Sequence, residues 1–109
     1  MARYIVLYHA DVTATEQMQQ SADDGAAEMQ AWMEWAQRVG AALVDMGSPL
    51  GATMAVSAEG SAPVARSTAV GYSMLEAPDA DAAAAMMAGH PHLRIGTIQL
   101  HRMLNIPGM

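Results

Sequence analysis

The chain predicts an α+β fold of the ferredoxin-like kind, a β-α-β-β-α-β sandwich with a four-stranded antiparallel sheet and both helices on one face. Three observations lead there. Residues 3 to 8, "RYIVLY", are β-branched and aromatic and read as a strand. Two helix-like stretches, about 24 to 46 and 78 to 89, each stand between strand-like runs. Turn-rich "GSPLG" (47 to 51) and "EGSAPVARS" (59 to 67) cut the middle of the chain into short pieces. At 109 residues the chain suits a single domain, 1–109, with a core of its own.

In strand 1, Tyr4, Val6 and Tyr8 share one parity and Ile5 and Leu7 the other, so both faces are expected to be covered. "SADD" at 21 to 24 supplies N-cap and first-turn acids for the first helix. Along that helix Met29, Met33, Ala36, Gly40 and Leu43 form one apolar stripe, and Trp32, Trp35, Val39 and Met46 a second beside it. "ATMAVSA" (52 to 58) is then expected as strand 2, "EGSAPVARS" as the hairpin loop and "TAVGYSMLEA" (68 to 77) as strand 3. In the second helix Pro78 opens the first turn, Asp79 and Asp81 answer the dipole, and Gly89 is the stop. "GTIQLHRML" (96 to 104) closes the sheet. With helices on one face only, the second apolar parity of strand 1 is left bare. A homodimer through that sheet face is the simplest closed arrangement.

Composition removes several function classes. Without cysteine there are no disulfides, thiolate nucleophiles or cysteine-based metal sites. The formal net charge is −6 and the five basic residues are scattered arginines, so no basic stripe is available for nucleic acid. No apolar run is long enough to span a membrane, and the start has neither the apolar core nor the cleavage site of a signal peptide; a cytoplasmic location is the expectation. No glycine-rich phosphate cradle is present, and no organic cofactor is expected. Eleven methionines and no phenylalanine suggest an adaptable interior and an adaptable pocket.

With "RYIVLY", "GYSMLEA" and "GHPHLRIGTIQLHRML" in place, the chain resembles the YCII-related (DGPF-like) family over almost its whole length. The resemblance implies a dimeric α+β barrel and a small-molecule activity. In the better-described branch of the family a histidine on the first helix and an aspartate in an Asp-Pro-aromatic-x-x-x-Gly segment form an acid/base pair. Here that segment reads His90-Pro91-His92-Leu93-Arg94-Ile95-Gly96, so His90 stands at the aspartate position. The first helix has no histidine, and Gln30 and Trp32 occupy the corresponding region, so the pair as such does not carry over.

His90 and His92 are the candidate catalytic residues, since histidine titrates near neutral pH. The plainer reading is that His90 caps a helix end and Pro91 prevents its continuation. His101, His9, Tyr72, Trp32 and Asp45 are candidate ligand contacts. His101 shares a parity with Thr97, Gln99 and Met103, away from the helices, while His9, at the end of strand 1, and Asp45 with Ser48, at the end of helix 1, could meet around one mouth of the domain, a meeting that sequence alone does not place. The histidines lack a recognisable metal-ligand spacing, and no metal is assigned. The function expected is cofactor-free proton transfer by an isomerase, cyclase or lyase on a hydrophobic cyclic or aromatic substrate. The alternatives are a non-catalytic small-molecule-binding or accessory protein and a cofactor-free monooxygenase of the same fold.

Overall fold

The computed structural model describes residues 1–17, 22–65 and 67–108, the side chains at 22 and 23 excepted. Strand β1 (Ala2–Ala10) is followed by a single turn of helix, α1 (Ala14–Gln17), and by the long helix α2 (Ala22–Val39). Next come β2 (Leu43–Pro49), the hairpin strands β3 (Thr53–Ser57) and β4 (Gly60–Val64), and β5 (Ala69–Ala77). Helix α3 (Ala80–Met86), a 3₁₀ turn at Pro91–Arg94 and β6 (Gly96–Arg102) complete the domain. The main sheet runs β2-β5-β1-β6 with every pairing antiparallel, an order compatible with a ferredoxin-like α+β fold.

Two expectations from the sequence are corrected. The first helix does not run to Met46: Gly40 takes φ +67, the left-handed conformation that ends helices, and Leu43 leads into β2. The apolar period continues across that glycine, which is why the stripe read through it. Asp45 and Ser48 therefore lie on a strand and not at a helix end. Secondly, "ATMAVSA" is not a strand of the main sheet; it pairs with Gly60–Val64 in a separate two-stranded hairpin, the stretch expected as a loop. The segment "GSPLG", expected as a break, supplies the end of the real edge strand. Ser21, part of the expected helix start, lies outside the described residues.

The radius of gyration is 15.5 Å, against about 13 Å for a compact chain of this length. Core side chains gather on one face of the sheet. Tyr4, Val6 and Tyr8 of β1 and Leu75 of β5 meet Trp35 of α2 and Ala83 of α3, all nearly or fully buried. The Trp35 indole donates to the Met86 carbonyl at 2.8 Å, and Arg38 donates to the Ala88 carbonyl. These two bonds tie the end of α2 to the end of α3 and satisfy carbonyls the short helix leaves free. At its start Asp79 caps α3, accepting from the Ala82 amide at 2.8 Å.

Strand β2 joins β5 through two irregularities, between Leu43 and Asp45 and between Asp45 and Ser48. Gly47 sits at the second with φ +81, where a Cβ would collide with the Tyr72 carbonyl. On the sheet face away from the helices, the register aligns Ile5 with Met74 and His101, and Leu7 with Tyr72 and Gln99. Ile5, Leu7, Tyr72 and Met74 are half-buried there, not covered, while Gln99 and His101 are exposed.

Candidate functional site

Helix α2 presents Gly25, Glu28, Met29, Trp32 and Met33 at i, i+3, i+4, i+7 and i+8, one face of 3.6-residue periodicity. Opposite it runs the bulged end of β2. Between them opens a cleft of about 400 Å³, to which Tyr8, Met46 and His92 also contribute. Its walls are largely thioether and aromatic, the make-up of a small-molecule site.

His92 reaches this cleft because of the backbone around it. Gly89, at φ +75, turns the chain out of α3, and Pro91 opens the 3₁₀ turn. The Nδ1 of His90 accepts the backbone N–H of His92 at 3.0 Å and so caps the turn. His92 in turn places Nε2 2.8 Å from the carbonyl oxygen of His9. A carbonyl only accepts, so Nε2 carries the proton, and Nδ1 of neutral His92 keeps its lone pair. Gly96 makes room for this contact: a Cβ there would collide with the His9 carbonyl and lie 2.8 Å from His92 Nε2.

His90 is placed differently. Both histidines are 2% exposed, but only His92 is among the residues that line the cleft. The His90 ring lies against Trp32, Trp35 and Tyr8, with centroids 4.4, 4.3 and 5.0 Å away. Because Nδ1 accepts, Nε2 bears the hydrogen, and among the described residues it has no hydrogen-bond partner. Desolvation in this aromatic box, helped by the charges of His92 and Arg38, lowers the His90 pKa from 6.5 to about 4. The ring is neutral at pH 7.

Tyr8 is held by a short relay. Ser73 donates to the Met46 carbonyl at 2.6 Å, so its oxygen accepts from the Tyr8 hydroxyl at 2.8 Å. Burial pushes the Tyr8 phenol up to about 12, the bond to Ser73 opposing it only in part. The phenol stays protonated and fastens β1 to the β2 bulge beside the cleft.

Of the other candidates, Trp32 lines the cleft and Tyr72 borders it. His9, His101 and Asp45 do not. Asp45 is exposed and accepts from the Gly47 amide at 2.9 Å, part of the bulge. His9 contacts Thr68 Oγ1 through Nδ1 at 3.1 Å and, with Thr97 and Gln99, borders a separate, more polar depression of about 350 Å³. His101 Nε2 lies 3.3 Å from Gln99 Oε1 on the exposed strand. His9 and Asp45 thus do not share one mouth. Among the described residues no set of three or more His, Asp or Glu side chains comes together to hold a metal, and no helix is long and apolar enough to cross a membrane.

Sequence reading passed over Tyr8, Glu28 and Met46. Glu28 carried a signal, an acid four residues before Trp32 and one before Met29 inside an apolar stripe. Met46 could not be placed while it was read on the helix. No family model matches the chain, and no curated protein matches it.

Proposed function

We propose that the chain is a small-molecule enzyme of the YCII-related type that moves a proton on a hydrophobic ring compound held in the cleft between α2 and β2. The observation that carries the reading is His92: it lines the cleft, and its Nε2–H is committed to the His9 carbonyl, so a basic Nδ1 remains. His90 takes the role of a positioning residue, neutral and buried, fixing the backbone of His92 through Nδ1. Tyr8, protonated and tied to Ser73, gives the cleft an aromatic wall.

A carbon acid tests the reading. With β-tetralone in deuterium oxide, the wild type is expected to accelerate exchange of the acidic protons, followed by NMR. His92→Gln is expected to lower that acceleration by about a hundredfold with the fold retained. Equal rates for the two proteins would leave the cleft as a binding site, the reading of a non-catalytic module.

The enzyme is proposed to work as a homodimer through the sheet face away from the helices. Half-buried Ile5, Leu7, Tyr72 and Met74 form an apolar band there, one a monomer would leave against water. Sedimentation is expected to give twice the 11.5 kDa mass of the chain at micromolar concentration, and Leu7→Glu a folded monomer. A monomeric wild type at that concentration overturns the dimer.

A further inference from the structure

We infer that the cleft selects hydrophobic organic cations: a compact aromatic or branched aliphatic body bearing one ammonium-type charge. This rests on the reading of the cleft as a ligand site and adds the charge of the ligand to it.

The first observation is Glu28. It stands on the cleft-facing stripe of α2, between Gly25 and Trp32, with its side chain 35% exposed. Among the described residues that line the cleft it is the sole acid, and none of them is an arginine. The cationic group that faces Glu28 is Arg94, whose Nη1 is 3.8 Å from Oε2 and whose side chain is 67% exposed. At that length and exposure the pair contributes little and leaves the carboxylate open to a better-placed partner.

The second observation is the rest of the wall. Trp32 and Tyr8 offer π faces and edges, and Met29, Met33 and Met46 offer polarizable sulfur. Rings of this kind attract a desolvated cation and gain nothing from an anion. The third is the field of the whole chain, whose net charge of −6 lowers the local concentration of anions and raises that of cations. The start of α2 pulls the other way through its dipole, but its first turn carries Asp23 and Asp24 in the sequence.

The alternatives fit less well. A neutral ligand would cover Glu28 with apolar surface and strip water from the carboxylate without replacing it. An anion would meet that carboxylate at close range. A ligand ammonium satisfies Glu28, and the free Nδ1 of His92 can accept a second N–H from the same ligand.

Three probes of nearly equal shape test this: naphthylmethylammonium, naphthylmethanol and naphthoate, titrated at low ionic strength by tryptophan fluorescence and by NMR of the methionine methyl groups. The cation is expected to bind about tenfold more tightly than the alcohol, and the anion more weakly than either. Glu28→Gln is expected to remove the advantage of the cation while leaving the alcohol unchanged. Arg94→Gln, which frees Glu28, is expected to tighten the cation about twofold or more and confirms that Glu28 reads the charge. Equal binding of cation and alcohol, tighter binding of naphthoate, or a cation preference that survives Glu28→Gln overturns the inference and leaves the cleft as a ligand site. Failure of all three probes to perturb Met29, Met33, Met46 or Trp32 overturns the ligand site itself.

Discussion

Gly96→Ala is expected to cost about 3 kcal/mol or more of stability and to lower Tm by about 12 °C or more in a domain of this size. The added methyl would collide with the His9 carbonyl and press on His92 Nε2, the two atoms that hydrogen-bond across the end of β1 and β6. Backbone blocks one side, and the other is a buried imidazole. Either the strands part at Ala10 and Gly96, which pair there, or His92 gives up its bond and swings. Both outcomes disturb the cleft, so ligand binding is expected to fall together with stability. Gly51→Ala is the matched control. A Cβ there meets nothing within 4 Å and its φ is not positive, so that variant is expected to stay within about 0.5 kcal/mol of wild type. Thermal and urea melts of the two variants check the contrast, and a Tm for Gly96→Ala within a few degrees of wild type would refute it.

The sequence shows β1, α3, β5 and β6 clearly because each has a local cause that tertiary structure leaves in place. "RYIVLY" is β-branched and aromatic, Asp79 caps α3, Gly89 stops it, and "GTIQL" alternates half-buried and exposed as a half-covered strand does. Strand β2 was illegible for an equally physical reason. "LVDMGSP" joins a helical period on one side to glycine and proline on the other, and its strand character comes from β5 and from the Ser73 bond to the Met46 carbonyl. The true hairpin, "TMAVS" with "GSAPV", lost its second strand to a composition that reads as loop. At the site, the histidine pair was visible but its division of labour was not. Spacing cannot tell that His90 points into a box formed with Trp32 and Trp35 of α2, far back in the chain, while His92, two positions on, meets the cleft.

Stability is expected to fall by about 3 kcal/mol through His90 alone as the pH drops from 6.5 to 4. Above pH 6.5 the imidazole is neutral in both folded and unfolded chains and contributes no pH dependence. Below 6.5 the unfolded chain binds a proton that the folded one refuses until about pH 4, so folding loses up to about 1.4 kcal/mol per pH unit in that window. Below pH 4 both states are protonated and this loss levels off. Carboxylates begin to titrate near the lower end, so the cleanest reading lies between pH 6.5 and 5. His90→Asn isolates the effect, because its amide oxygen can still accept the His92 N–H while nothing at that position titrates. The variant is expected to be less stable than wild type at pH 7 by about 2 kcal/mol, from the space the ring leaves. Its deficit should shrink by about 2 kcal/mol by pH 5, and urea midpoints at the two pH values measure that change. Parallel pH curves for the two proteins would show that His90 is not the neutral buried ring described, and an NMR titration of its imidazole near 6.5 would show the same independently of the variant. Protonation has a local consequence as well. Once the folded chain takes up the proton, near pH 4, a hydrogen stands on Nδ1, the atom that accepts from His92, and the turn that aims His92 at the cleft loses its cap. Ligand affinity of the folded protein is therefore expected to hold down to about pH 4 and to fall near and below it, less steeply in His90→Asn.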